Sequence, residues 1–248
     1  MEDLKLANIP AQTQNIIEPF LKDILTNHKE DIISIYIIGS VITKSFNAKH
    51  SDINTLIVVK ENKVEFFDFI AALGKNYGKK KIRAPLVMTQ DYINRSLEVF
   101  PIEFLDMKLI NQLVYGMDVL RDIKIEKADI RLQCERELKG KIQHLCQGYI
   151  KSMGNNKTLT DLFMGSLSGY FPLFRGILFL YDHEIPQVKG DVLYALNECC
   201  DIDINVFKTL MDVKAHNFYP QFSALKEVFK DLYRVLNAIT KKIDEFKV

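Results

Sequence analysis

The chain has 248 residues, 48% hydrophobic and 26% charged, with 33 Lys and Arg against 32 Asp and Glu. That length buries a sizeable core as one large domain or two modest ones. The near-zero net charge excludes a global field that would drive the chain onto nucleic acid or anionic lipid.

Pro10 to about His28 has the spacing of an amphipathic helix, with Ile16, Ile17, Phe20, Leu21, Ile24 and Leu25 on one broad face. Ile32 to Ile38 is β-branched and aromatic, which predicts a short buried strand stopping at Gly39. Residues 52–60 predict a second strand, polar at its start and apolar later. Val64 to Tyr77 returns to helical spacing, and Gly78 is placed to end that helix. A third strand is expected over Ile82 to Met88 and a short helix over Asp91 to Leu97. Pro101 to Lys108 reads as a fourth strand opened by proline.

After about Asp122 strand signals almost vanish. Ala128 to Tyr149 predicts a long amphipathic helix and Leu159 to Tyr181 a more apolar one, central to a bundle. Val188 to Cys199 and Ser223 to Phe246 predict two more. The expected fold class is α+β: an N-terminal α/β domain with a mixed sheet over residues 1–122 and an all-α helical bundle over 123–248. Cys134, Cys146, Cys199 and Cys200 form no CxxC pair and have no histidine at zinc-ligand spacing. They read as reduced, buried or half-buried thiols. With an acidic, mixed start in place of a signal peptide and no apolar run near bilayer length, the expectation is a cytoplasmic protein with no membrane partner.

The densest chemistry lies at Ile35-Tyr36-Ile37-Ile38-Gly39-Ser40 and, eleven residues on, Ser51-Asp52-Ile53-Asn54. Gly39 lets the backbone approach a phosphate closely, and Ser40 offers a backbone N–H and a hydroxyl. On a strand, positions 52 and 54 share a face, where two carboxylates would chelate Mg²⁺. Lys44 is a further candidate for a phosphate. Gly78-Lys79-Lys80-Lys81, a basic turn without interleaved aromatics, reads as a solvated loop.

The strand, Gly-Ser turn and acidic second strand over roughly residues 30–122 resemble the nucleotidyltransferase superfamily, which includes DNA polymerase β and the aminoglycoside nucleotidyltransferases. The family pattern is Gly-Ser or Gly-Gly, a spacer of this length, then Asp-x-Asp or Asp-x-Glu, with a third carboxylate on a later strand. Gly39-Ser40 and Asp52 match. Glu103 on the expected fourth strand supplies the third carboxylate, and Leu113-Val114-Tyr115-Gly116 resembles the family's exit from the domain. The resemblance implies transfer of a nucleoside monophosphate from a nucleoside triphosphate to a hydroxyl of a small-molecule or protein acceptor. Mg²⁺ would be held by Asp52, Asn54 and Glu103, with Asp52 and Glu103 catalytic and Gly39, Ser40 and Lys44 on the phosphates.

The departure is Asn54, a dipole where the pattern has a charge. Three outcomes stay open: a slow single-metal enzyme, substitution by another acid, or nucleotide binding without turnover. Asp106 is the nearest spare carboxylate, but strand parity sets it on the face opposite Glu103. The alternative function is a non-catalytic nucleotide-binding or protein-interaction module. An antitoxin-like role within that class rests on fold analogy alone. A homodimer is carried as an open expectation. In the helical half, Arg131 with Glu135 and Glu137 with Lys141 are expected as surface pairs at i,i+4, and Arg136 or Lys141 is a candidate to face the nucleotide. Phe163, Tyr170, Phe171, Phe174 and Phe179 read as core.

Overall fold

The computed structural model describes residues 4–43 and 52–247. The fold is α+β, and the chain divides into two compact units. One comprises Met1–Glu98 with Asp106–Lys124, the other Val99–Leu105 with Ile125–Val248. The segment Val99–Leu105 thus sorts with the helical residues, apart from the expected 1–122 block.

The first unit is built on a four-stranded mixed sheet. Its strands are β1 (Ile32–Ile38), β2 (Asn54–Val59), β3 (Leu86–Thr89) and β4 (Asn111–Gly116), in the order β3-β2-β1-β4. β1 runs antiparallel to both neighbours, while β2 and β3 are parallel. The seven residues of β1 are almost wholly buried, as expected of a central strand covered on both faces. Its alternation sorts them: Ile35 and Ile37 join a core with Ile57, Val59 and Val114, while Tyr36 and Ile38 turn the other way. That core is closed by α1 (Ala11–His28) through Ile17, Phe20, Leu21 and Ile24, and by α2 (Val64–Tyr77) through Phe66 and Leu73. On the opposite face Tyr36 Oη accepts the Val119 N–H at 2.6 Å and donates to Asp118 Oδ1 at 3.1 Å. The hydroxyl therefore ties the exit segment after β4 to the middle of the sheet.

Three expectations change in this half. α2 ends at Gly78 as expected, but Gly78 remains right-handed and opens a 3₁₀ turn, and Lys81 takes the left-handed conformation instead (φ 64°). The third strand is shorter than expected, with Ile82 reduced to an isolated bridge to Ile53. Pro101 to Lys108 is a helix, α4 (Pro101–Leu109), preceded by α3 (Gln90–Ser96). Proline in the first turn lacks only an N–H that a helix start leaves unbonded, and its fixed φ suits a helix. Ile102 and Leu105 then bury one helical face together with Phe104. The fourth strand of the sheet is β4, the segment expected only to lead out of the domain.

The helical unit contains α5 (Lys127–Ser152), α6 (Asn156–Leu167), α7 (Tyr170–Leu180), α8 (Lys189–Cys200), α9 (Asn205–His216) and α10 (Phe222–Glu245). α5 packs on α6, α7 and α10, and α9 packs on α6 and α10. The single helix expected over Leu159 to Tyr181 is two, α6 and α7. Pro172 cannot donate to the carbonyl four residues back and its ring collides there, so α6 stops and a new first turn forms around it. Phe163, Tyr170, Phe171 and Phe174 are buried as expected, and Phe179 is half-buried. α9, unrecognised in the sequence, buries Val206, Phe207, Leu210 and Val213 at helical spacing. Cys134 and Cys200 are buried free thiols, and burial pushes the Cys200 thiol up to about 12. No single helix among the described residues is long and apolar enough to cross a membrane.

Gly116 ends β4 at φ 78°, and a Cβ there would stand 2.0 Å from the Ile33 carbonyl oxygen. Gly116→Ala should lower unfolding stability by at least about 2 kcal/mol in denaturant titration, combining left-handed strain with a backbone collision. Gly74→Ala, inside α2 with open space around its Cβ, should raise stability by about 0.5–1 kcal/mol.

Candidate functional site

The end of β1 and the start of β2 open onto a cavity of about 660 Å³, lined by Gly39, Asp52, Asn54, Arg83, Asp106 and Met107 of α4, and Ile110 just after that helix. Sheet register produces this convergence. Ile38, the last residue of β1, pairs with Asn54 on one side and Asn111 on the other. Gly39 then donates its N–H to the Ile110 carbonyl at 3.1 Å. Its backbone is left-handed (φ 80°), while a Cβ would meet nothing nearer than Asn54 Nδ2 at 3.9 Å. Glycine is required there by conformation, not by crowding. Ser40 opens a three-residue 3₁₀ turn and lies outside the cavity lining; its carbonyl accepts from Thr43 N–H at 3.1 Å and Thr43 Oγ1 at 2.9 Å. Lys44 lies outside the described residues.

Asp52 precedes β2, and its carboxylate is held. Arg83 Nε and Nη2 both donate to Asp52 Oδ2 at 2.7 Å. The backbone enforces this approach. Ile53 donates to the Lys81 carbonyl at 2.8 Å and accepts from the Arg83 N–H at 3.0 Å, so Arg83 stands level with Asn54 across a parallel bridge, on the same face as Asp52, and its side chain reaches back to that carboxylate. The Arg83 side chain is 67% exposed, and exposed ion pairs of this kind are worth about 0–1 kcal/mol. An incoming ligand can therefore exchange it at little cost. Arg83 was missed in the sequence because its partner is fixed by a non-local strand bridge.

Glu103, expected beside Asp52, is in the helical unit. Its Oε2 accepts from Gln133 Nε2 at 2.8 Å, and Gln133 Oε1 accepts the Ile102 N–H at 2.8 Å. Gln133 of α5 thus caps the first turn of α4, and Glu103 orients that cap. Asp106, set aside on strand parity, lines the cavity from the second half of α4, whereas Glu103 lies in its first turn. Neither later strand carries an acid, since β3 reads Leu-Val-Met-Thr and β4 Asn-Gln-Leu-Val-Tyr-Gly.

Asp52, Asp106 and the Asn54 amide oxygen are hard donors of the kind Mg²⁺ accepts. Among the described residues no group of three His, Cys, Asp or Glu stands together. The set fits one divalent ion completed by phosphate and water, and lacks the acids to hold a pair.

No protein-family model matches the chain, and no curated protein matches it. Among solved structures it is similar to spectinomycin adenyltransferase AAD(9) from Enterococcus faecialis, determined with ATP and spectinomycin. The identity is 14% and the TM-score 0.39, over 87% of this chain and 98% of that one. A likeness this distant assigns no activity to the chain.

Gln133→Leu, which strands the buried Ile102 N–H, should lower stability by about 1–3 kcal/mol in urea unfolding. Glu103→Ala removes only an exposed acceptor and should stay within about 1 kcal/mol of wild type.

Proposed function

We propose that the cavity at the end of β1 and the start of β2 is the nucleotide site of a nucleotidyltransferase-type unit. In this reading a nucleoside triphosphate binds with one Mg²⁺, and its nucleoside monophosphate passes to a hydroxyl of a small-molecule acceptor. The observation that carries the reading is that Gly39, Asp52, Asn54 and Asp106 line one cavity, although they come from three separate points of the chain. Gly39 gives the phosphates access to backbone. Asp52, Asp106 and Asn54 would hold the ion, which would supply positive charge to offset that of the phosphates. Glu103 is engaged by Gln133, and Asp106, which lines the cavity, would take the acceptor proton. The acceptor oxygen bonds to the α-phosphorus as the bond to the bridging oxygen breaks, and pyrophosphate leaves with that electron pair.

The second reading, nucleotide binding without transfer, is favoured by one observation: both donors of Arg83 facing Asp52 converge on a single carboxylate oxygen. There Arg83 takes the place of a metal ion at Asp52, and a phosphate would draw Arg83 away.

Calorimetric titration with a non-hydrolysable triphosphate analogue, with and without Mg²⁺, separates the two. Transfer chemistry requires Mg²⁺-dependent binding that Asp52→Ala weakens by at least about 10-fold. The second reading requires metal-independent binding that Asp52→Ala strengthens, because Arg83 is released, and that Arg83→Gln abolishes. Absence of binding under every condition overturns both.

A further inference from the structure

A second cavity, of about 680 Å³, lies between α5 and α6 in the helical unit, with Tyr170 of α7 contributing to its wall. It shares no lining residue with the cavity of the sheet unit. Two features of its walls are unexplained by folding. The first concerns glycine. Gly140 of α5 and Gly165 of α6 both line it, and a Cβ at either would meet nothing within 4 Å. Each is interior to its helix, where glycine is about 0.5–1 kcal/mol less favourable than alanine. Neither has a positive φ or a close neighbour to justify it. Gly148, two turns further along α5, is the contrast: its Cβ would stand 2.2 Å from Leu162 Cδ2. The helices touch at Gly148 and stand apart where Gly140 and Gly165 leave room.

The second feature is the distribution of charge along α5. Arg131 and Lys139, outside the cavity, are both paired with Glu135, at 2.8 Å and 2.5 Å, and Lys139 also reaches Asp244 at 3.3 Å. Arg136, Lys141 and His144 line the cavity. Among the described residues none of these three has a carboxylate within ion-pair distance, so the expected Glu137–Lys141 pair does not form. The Lys141 ammonium lies instead over the Tyr170 ring at 5.1 Å, and burial holds its pKa below the usual lysine range although Glu137 opposes that shift. The two acids of the lining are Glu137 and Asp161, and the latter accepts from Tyr219 Oη at 3.5 Å. Leu145 and Leu162 complete an apolar wall. Two cations without carboxylate partners, Arg136 and Lys141, stand with the His144 imidazole beside an apolar wall, in a volume typical of small-molecule sites, and call for an anion attached to an apolar body.

We propose that this cavity binds a small aromatic anion, with its phosphate or carboxylate between Arg136, Lys141 and His144 and its ring against Leu145, Leu162 and Tyr170. A guanidinium presents paired donors to either anion, and charge-assisted contacts are the stronger class. The half-buried ammonium, already partly stripped of water, gives up less hydration on binding than an exposed lysine would.

Titration of the full chain with phenyl phosphate, benzoate, inorganic phosphate and uncharged benzyl alcohol, followed by calorimetry and by the His144 ring resonances, tests this. Phenyl phosphate or benzoate should bind with a Kd of about 1 mM or tighter, and whichever is tighter identifies the anion. Inorganic phosphate and benzyl alcohol should each bind at least about tenfold more weakly. Gly140→Leu, which fills the cavity with a better helix former, should weaken binding at least about tenfold while thermal stability holds or rises. Lys141→Met should do the same to affinity, and Arg131→Gln should leave it unchanged. The proposal is overturned if neither aromatic anion binds, if Gly140→Leu binds as wild type does, or if Arg131→Gln weakens binding as much as Lys141→Met.

Discussion

Everything in the sheet unit hangs on β1 being buried on both faces and paired on both edges. A strand so placed tolerates no slip in register, because a shift of one residue would exchange Ile35 and Ile37 for Tyr36 and Ile38. Tyr36 Oη would then lose the Val119 N–H, and the α1 side would receive a phenol in place of aliphatic carbon. Fixed register has a consequence at the strand's end. The positions of Asn54 on β2 and Asn111 on β4 relative to Gly39 are set by the register of the buried strand that precedes it. The cavity is thus preorganised by apolar burial, and its polar residues contribute little to holding it open.

That division of labour explains which parts were legible in the sequence. β1, β2, α1 and α2 follow from period and residue type, since each presents one unbroken pattern to one core. Gly39, Asp52 and Asn54 were found because they sit at the ends of those elements. The segment from Pro101 failed because Pro-Ile-Glu-Phe-Leu-Asp satisfies a short strand and a helix equally over six residues. Only the burial of Phe104 with both Ile102 and Leu105 decides for the helix. Read as a strand, the segment set Glu103 beside Asp52 and Asp106 aside; in the helix Glu103 bonds Gln133 and Asp106 lines the cavity. In the helical half, Pro172 was visible but unused, and α9 was missed although its apolar residues recur at helical spacing.

Arg83 belongs to a different class of omission. Nothing local marks it, and its exposure gives it the look of an ordinary surface cation. Its importance comes from a parallel bridge between Ile53 and Ile82, which no periodicity predicts. The pair with Asp52 also changes what Asn54 means. With a second aspartate at position 54, one guanidinium would face two carboxylates and leave a net negative charge for metal. With asparagine, one guanidinium faces one carboxylate, and the Arg83–Asp52 pair carries no net charge. The substitution and the arginine act in the same direction, lowering the charge that would attract divalent ions.

The same reasoning, applied to α5, runs the other way. A long surface helix ordinarily pairs its cations at i,i+4, as Arg131 does with Glu135. Pairing of that kind is cheap to make and cheap to lose, so its absence at an exposed residue carries little meaning. At Lys141 the absence carries more, because burial penalises a charge that a carboxylate would relieve. Glu137 stands one turn away on the same helix, close enough to oppose the shift, yet the ammonium is directed over Tyr170 instead. The aromatic face offers a desolvated cation weaker compensation than an ion pair does. Some stability is therefore forgone at Lys141, and at Gly140 and Gly165 too, all on the walls of one cavity. An anion in that cavity would relieve the charge on Lys141, and the two glycines leave it room.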